Sequence, residues 1–123
     1  MEDTRTHHPL MMVPDVDVRP LAELVSQRPK LRLVVLNGLR TLRGATLTQL
    51  TQAGNVYFEI AMLEGVAGVA GLLRGIPLER VLFGSHFPFF HLESALLKLR
   101  ESDLTSAQVE AITRQNAARL LQG

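Results

Sequence analysis

Three short apolar segments, which begin near residues 31, 55 and 80, constrain the fold of this 123-residue chain more than any other feature. They read LRLVVL, NVYFEIA and RVLFGS, and each is rich in the residues that favour β-strands. Their spacing of about 25 residues leaves room for a loop and a helix between consecutive strands. The pattern therefore predicts an α/β fold of about three parallel strands, each followed by a helix in a right-handed connection.

Apolar residues at helical spacing fill most of the intervals between these strands. The pattern predicts helices over about 19–28, 39–53, 63–73, 92–100 and 105–121. The third of these contains Gly65, Gly68 and Gly71, every third residue. Such glycines indicate either a helix that lies unusually close to the sheet or a partly irregular turn.

The last predicted helix has the clearest start signal. Thr105 and Gln108 have the spacing of a capping box, in which each side chain bonds the backbone of the other residue. Asn116 lies on the apolar face of the same helix. If that face is buried, the amide of Asn116 needs hydrogen-bond partners.

Composition excludes several classes of function. With 46% apolar and 20% charged residues, the chain has the composition of one globular domain over residues 1–123. A net charge of +1 and scattered arginines argue against a nucleic-acid partner, and the absence of cysteine excludes disulfides and thiolate metal sites. No apolar run approaches the ~20 residues that span a bilayer, and the polar start does not match a signal peptide, so we expect a cytoplasmic protein without a membrane partner.

The candidate functional residues follow the predicted strands, because parallel α/β folds bind ligands at the carboxyl ends of their strands. His86 comes after the third strand and is either a ligand or base, or a hydrogen-bonded loop residue. Glu59 ends the second strand and is either a ligand or base, or a solvated carboxylate. The segment 87–90, FPFF, either walls an apolar substrate pocket or packs between a loop and the next helix.

Three motifs resemble a known family. Residues 80–88, RVLFGSHFP, resemble the "LFGSD-P" signature of the amidohydrolase-related metal-dependent hydrolases, near the last strand of their fold. Residues 112–121, ITRQNAARLL, resemble the closing "GNAxRLL" helix of that family, and residues 55–59, NVYFE, resemble its "NVYxD" strand. The motifs occur in the family's order, and the resemblance extends from about residue 18 to the end.

The resemblance implies a partial (β/α)8 barrel. A whole barrel of this kind takes about 250 residues, and the three strands correspond to the sixth, seventh and eighth of the family. The chain then represents the C-terminal part of a barrel, with three βα units and a C-terminal helix. The family's two-histidine motif, which lies on its first strand, has no counterpart in this sequence.

The resemblance also assigns roles to residues. It implies a hydrolase for a small cyclic or carboxylated substrate, with His86 at the position of the family's last-strand Asp. His86 and Glu59 are then the candidate catalytic residues, and Asn37, His8 and Phe87 the candidate substrate-binding residues. The family implies a divalent metal, zinc first, with His86 as ligand. With Asn37 where the family has a histidine, the resemblance implies a degenerate metal site and a chain that is inactive alone.

A second interpretation stays open, in which the chain is a non-catalytic barrel fragment or degenerate homologue. A three-stranded parallel sheet has two edges with unpaired backbone groups, and such edges promote association. The expected partners are then a second copy of the chain or the missing N-terminal half of a barrel. The resemblance places His7 and His8 in the loop after the family's fifth strand, where they either supply a metal ligand or bind substrate, or form an exposed loop pair. His91, near a helix start, either helps to line the mouth of the site or lies on the surface.

Overall fold

A computed structural model of the chain describes residues 10 and 16–122. In chain order the elements are α1 (Pro20–Ser26), β1 (Arg32–Val35), α2 (Gly44–Ala53), β2 (Asn55–Glu59), α3 (Gly68–Leu73), a 3₁₀ turn (Leu78–Arg80), β3 (Val81–Leu82), α4 (Leu92–Arg100), α5 (Ser106–Glu110), a π-helical segment (Ala111–Gln115) and α6 (Asn116–Gln122). None of the helices in this described part has the length and apolar character needed to cross a bilayer.

The three strands form one parallel sheet in the order β1-β2-β3. Leu33 lies opposite Val56, and Phe58 lies opposite Val81. Each strand is followed by a helix, which confirms the predicted alternation. The arrangement is a mixed α/β fold of three parallel strands, compatible with a segment of a (β/α)8 barrel.

One face of the sheet forms the core with the helices. Val56, Phe58 and Val81 are fully buried there and contact buried side chains of α1 and α2, among them Val25 and Leu50. Side chains along a strand alternate between the two faces of a sheet, so every second residue packs against the covering helices. The core therefore fixes the strands from the helix side and leaves their carboxyl ends to the loops.

The third helix is shorter than its pattern predicts. It begins at Gly68 rather than near residue 63, because Ala67 adopts a left-handed backbone with φ 53° and Gly65 has φ 105°. A Cβ placed on Gly68 or Gly71 would meet only side-chain atoms, at 3.4 and 3.5 Å. The interpretation of these glycines as a close approach to the sheet is wrong, and the irregular turn is correct.

Strand β3 has two residues instead of the six expected over 80–85, because the backbone after Leu82 hydrogen-bonds to the C-terminal helix. The N–H of Asn116 donates to the carbonyl of Ala111, five residues earlier, and Phe83 donates its own N–H to the carbonyl of Ile112 at 3.0 Å. A π-helical turn frees a carbonyl for an outside donor in this way. The sequence pattern predicts a continuous helix here, and the π-helical interruption is where that helix bonds to the backbone after β3.

The buried amide of Asn116 has the partners that its position demands. The side chain is 1% exposed, and its Nδ2 donates to the carbonyl oxygens of Leu78 and Val81 at 2.7 Å each. Thr105 and Gln108 form the capping box at the start of α5. Both predictions for the C-terminal helix are confirmed.

Candidate functional site

The loops at the carboxyl ends of the strands surround a cavity of about 260 Å³. Its polar side chains are Asn37, Glu59 and His86, which follow or end β1, β2 and β3. The rest of the lining consists of apolar residues and one glycine: Val34, Leu36, Leu82, Phe83, Gly84 and Ala117. The fold thus brings together the three candidate residues that the sequence places at separate strand ends.

Glu59 joins the ends of two strands through its carboxylate. The side chain is 5% exposed, and its Oε1 accepts from the N–H of Asn37 at 2.5 Å. Its Oε2 accepts from the N–H of Ala61 at 2.7 Å. Of the two alternatives for Glu59, the solvated strand-end carboxylate is wrong, because the group is buried and bonded to backbone.

Gly84 makes room for this carboxylate. A Cβ placed on Gly84 would stand 2.0 Å from Oε2 of Glu59, which is far inside van der Waals contact. The backbone just beyond β3 therefore passes directly over the Glu59 side chain. The sequence shows this only as a glycine inside the 80–88 motif, with no sign of the side chain it faces.

His86 presents an unsatisfied ring nitrogen. Its Nε2 is buried and has no hydrogen-bond partner among the described residues. The ring stacks on Phe89 with centroids 5.2 Å apart and meets the edge of Phe90 at 5.3 Å. A buried polar atom without a partner is an unusual feature in a folded protein, and it marks a place where a ligand or water gains a hydrogen bond.

The chain reverses sharply after β1 and after β3. Asn37 and His86 both have left-handed backbones, with φ 56° and 55°. Asn and His adopt this conformation more readily than most residues with a side chain, although it stays uncommon. These turns bring both side chains to the rim of the same cavity.

Two further candidate residues, Phe87 and His91, do not line this cavity. His8 is outside the described residues. Phe87 is 75% exposed, so its ring is not part of the cavity wall that His86 and Glu59 form. His91 is exposed and lines a neighbouring cavity instead.

Lys98 is a residue that the sequence analysis missed. It lies on α4 and its Nζ donates to the carbonyl oxygens of Ile60 and Ala61, just beyond the end of β2. Burial lowers the pKa of Lys98, and Glu59, Glu64 and Glu101 oppose that shift through their charges. The available signal was its spacing of three residues from Ala95, which places Lys98 at the edge of the apolar face of the predicted helix.

The structure is thus an α/β protein with three parallel strands and polar side chains gathered at their carboxyl ends. A profile of the amidohydrolase family matches residues 9–123. The chain therefore belongs to the amidohydrolase family, as the three motifs indicated. No curated protein and no solved structure shows a significant match to the chain.

Amidohydrolases generally use divalent metals, and the described residues fit such an ion poorly. No group of three or more His, Cys, Asp or Glu side chains that could hold a metal occurs among residues 10 and 16–122. Both oxygens of Glu59 already accept backbone N–H groups, and the amide of Asn37 is a weak zinc ligand. His86 alone offers an open donor atom, so these residues do not make a metal site by themselves.

Proposed function

We propose that the chain is the C-terminal segment of an amidohydrolase-related hydrolase for a small cyclic or carboxylated substrate, and that it is inactive alone. The observation that carries the proposal is the buried and unpartnered Nε2 of His86 in the wall of the strand-end cavity. The apolar lining favours a compact organic substrate, and the open nitrogen supplies the polar contact that orients it.

In the complete hydrolase of this proposal, His86 is the general acid–base. Its Nε2 takes a proton from water as the water oxygen adds to the substrate carbonyl carbon, and it returns the proton to the leaving oxygen or nitrogen. Glu59 holds the loop after β1 in place through the N–H of Asn37. The side chain of Asn37 then contacts the substrate, and the roles of His8 and Phe87 in substrate binding belong to the same proposal.

The donor set of the site supports the proposed inactivity of the isolated chain. Among the described residues the cavity has one open imidazole nitrogen, and Glu59 is occupied by backbone donors. The family's usual stabilisation of the developing negative charge by a metal has no ligand set here. A proton acceptor alone contributes about 10²–10⁴-fold, which leaves most of a hydrolase's rate enhancement unsupplied.

A turnover assay tests this proposal. The 123-residue chain is incubated with δ-valerolactone and with simple esters and amides, with and without added zinc. We expect no turnover above buffer. Turnover that disappears in His86→Ala but survives in His91→Ala would show that the isolated chain is a working enzyme, contrary to the proposal.

A second candidate function is association without catalysis. Among the described residues, β1 pairs with β2 alone, and β3 pairs with β2 over a short register. Strands with one partner present backbone groups to a further chain. Light scattering across a range of concentrations, followed by a thermal melt, tests this. A defined oligomer that melts cooperatively supports association, whereas a monomer that melts cooperatively at every concentration contradicts it.

A further inference from the structure

A second cavity, of about 390 Å³, lies beside the candidate site. The turn 61–65 after β2 forms one wall, and α4 with the residues just before it forms the other. Phe89 and Phe90 line this cavity and also contact the ring of His86. The two cavities have no lining residue in common, and the contacts of Phe89 and Phe90 with the His86 ring lie between them.

Polar side chains form a stripe along the α4 side of this cavity. His91, Ser94 and Lys98 stand at positions i, i+3 and i+7, which places them on one face of the helix. The hydroxyl of Ser94 makes no hydrogen bond with the described residues, nor does the imidazole of His91. The adjacent face of the same helix is buried through Ala95 and Leu99.

The ammonium of Lys98 is held by backbone carbonyls and makes no direct ion pair with the described residues, although the charges of Glu59, Glu64 and Glu101 act on it. Two of its N–H groups donate to the carbonyl oxygens of Ile60 and Ala61, and the third is left for another acceptor. No carboxylate in the described residues forms an ion pair with it, and Glu64 instead faces Arg40 and Arg43 at 3.9 Å each. An anion that reaches this ammonium accepts its third N–H in a charge-assisted hydrogen bond, against the opposing charges of Glu64 and Glu101, which line the same cavity.

We infer that this second cavity binds a small monocarboxylate with an apolar body. The carboxylate bonds the free N–H of Lys98 and the hydroxyl of Ser94, as charge-assisted hydrogen bonds favour. The body of the ligand lies against the apolar side chains of Met62, Leu63 and Phe90. The inference does not rest on the proposed hydrolase activity, because His86 and Glu59 take no part in it.

Benzoate is the probe, added to the ¹⁵N-labelled 123-residue chain and followed by amide chemical shifts. We expect saturable shifts at Met62, Leu63 and Ser94, with a dissociation constant on the order of 1 mM. Benzamide has the same shape without the charge and should bind at least about tenfold more weakly. Equal binding of the two compounds, or shifts that do not saturate, would overturn the inference without any variant.

Variants locate the anion. Lys98→Met should weaken benzoate binding at least about tenfold, and Ser94→Ala should weaken it by a few-fold. Lys30→Met is the matched control, since Lys30 is exposed and is the only other lysine in the chain. Unchanged affinity in both Lys98→Met and Ser94→Ala would contradict the inference. If Lys98→Met does not fold, Ser94→Ala and the benzamide comparison decide.

Discussion

Gly84 and the carboxylate of Glu59 occupy adjoining space so closely that a Cβ on Gly84 would lie 2.0 Å from Oε2. The same carboxylate accepts the N–H groups of Asn37 and Ala61. One buried side chain therefore ties the end of β1, its own turn and the end of β3 together. The shape of the strand-end cavity depends on this arrangement.

Gly84→Ala should destabilise the fold by about 1–3 kcal/mol, because the new methyl group forces Glu59 away from its two backbone donors. Urea unfolding measures the change. Gly75→Ala is the control, since a Cβ on Gly75 meets nothing within 4 Å. Equal stability of the two variants would show that the Glu59 carboxylate moves aside freely.

Glu59→Gln should cost about 2 kcal/mol of unfolding free energy. The amide keeps one acceptor oxygen, but its NH₂ group then faces a backbone N–H that has no other acceptor. Glu79→Gln removes an exposed carboxylate and should stay within about 0.5 kcal/mol of wild type. If both substitutions have the same small effect on the unfolding free energy, the Glu59 carboxylate does not hold the strand ends together.

Asn116→Ala should destabilise the chain by about 2–5 kcal/mol, because it leaves the carbonyl oxygens of Leu78 and Val81 without their donor. Chemical denaturation gives the value. Gln49→Ala, on the exposed side of α2, is the comparison and should be nearly neutral. A loss below about 0.5 kcal/mol for Asn116→Ala would mean that other groups replace the donor.

Stability should rise with pH in the range where Lys98 loses its proton. Burial lowers the pKa of Lys98 below its ordinary value of 10.5, although Glu59, Glu64 and Glu101 oppose the shift. Below the folded-state pKa both states hold the proton, and the burial penalty is present in full. Between the folded-state pKa and 10.5 the unfolded chain binds more protons, so the unfolding free energy increases with pH.

Urea unfolding at several pH values measures this increase as the difference between wild type and Lys98→Met. The unfolding free energy of wild type, relative to that of Lys98→Met, should increase as the pH approaches 10.5. Lys30→Met, which removes the exposed lysine, should follow wild type across the range. A difference between wild type and Lys98→Met that is independent of pH would contradict the burial of the ammonium.

Local patterns in the sequence predicted much of this fold. The strand spacing, the helix over 92–100 and the capping box at Thr105 are all set by residues close together in the chain, and the structure has each of them. The sequence indicated that the amide of Asn116 needs hydrogen-bond partners, but it did not indicate which residues supply them. Leu78 and Val81 precede it by more than 30 residues, so only the tertiary fold identifies them.

The predictions from sequence fail where an unusual backbone conformation, or a contact between residues far apart in the chain, determines the structure. The left-handed Ala67 delays the start of the predicted helix to Gly68, although alanine gives no sequence signal for that conformation. The π-helical segment exists because Ile112 accepts a bond from Phe83, a contact across 29 residues. At the candidate site, His86, Glu59 and Asn37 were predicted as residues, but the burial of Glu59 and its contact with Gly84 were not.

The central claim is that the cavity beside His86 receives a small cyclic substrate, and a ligand titration tests it most directly. δ-Valerolactam is a neutral and stable cyclic amide, so it does not depend on Lys98 for binding. Added to the ¹⁵N-labelled chain, it should shift the amide signals of Leu82, Gly84 and Ala117 in a saturable way. His86→Ala should abolish these shifts and His91→Ala should keep them. Absent shifts in wild type, or the same shifts in His86→Ala, would contradict the claim.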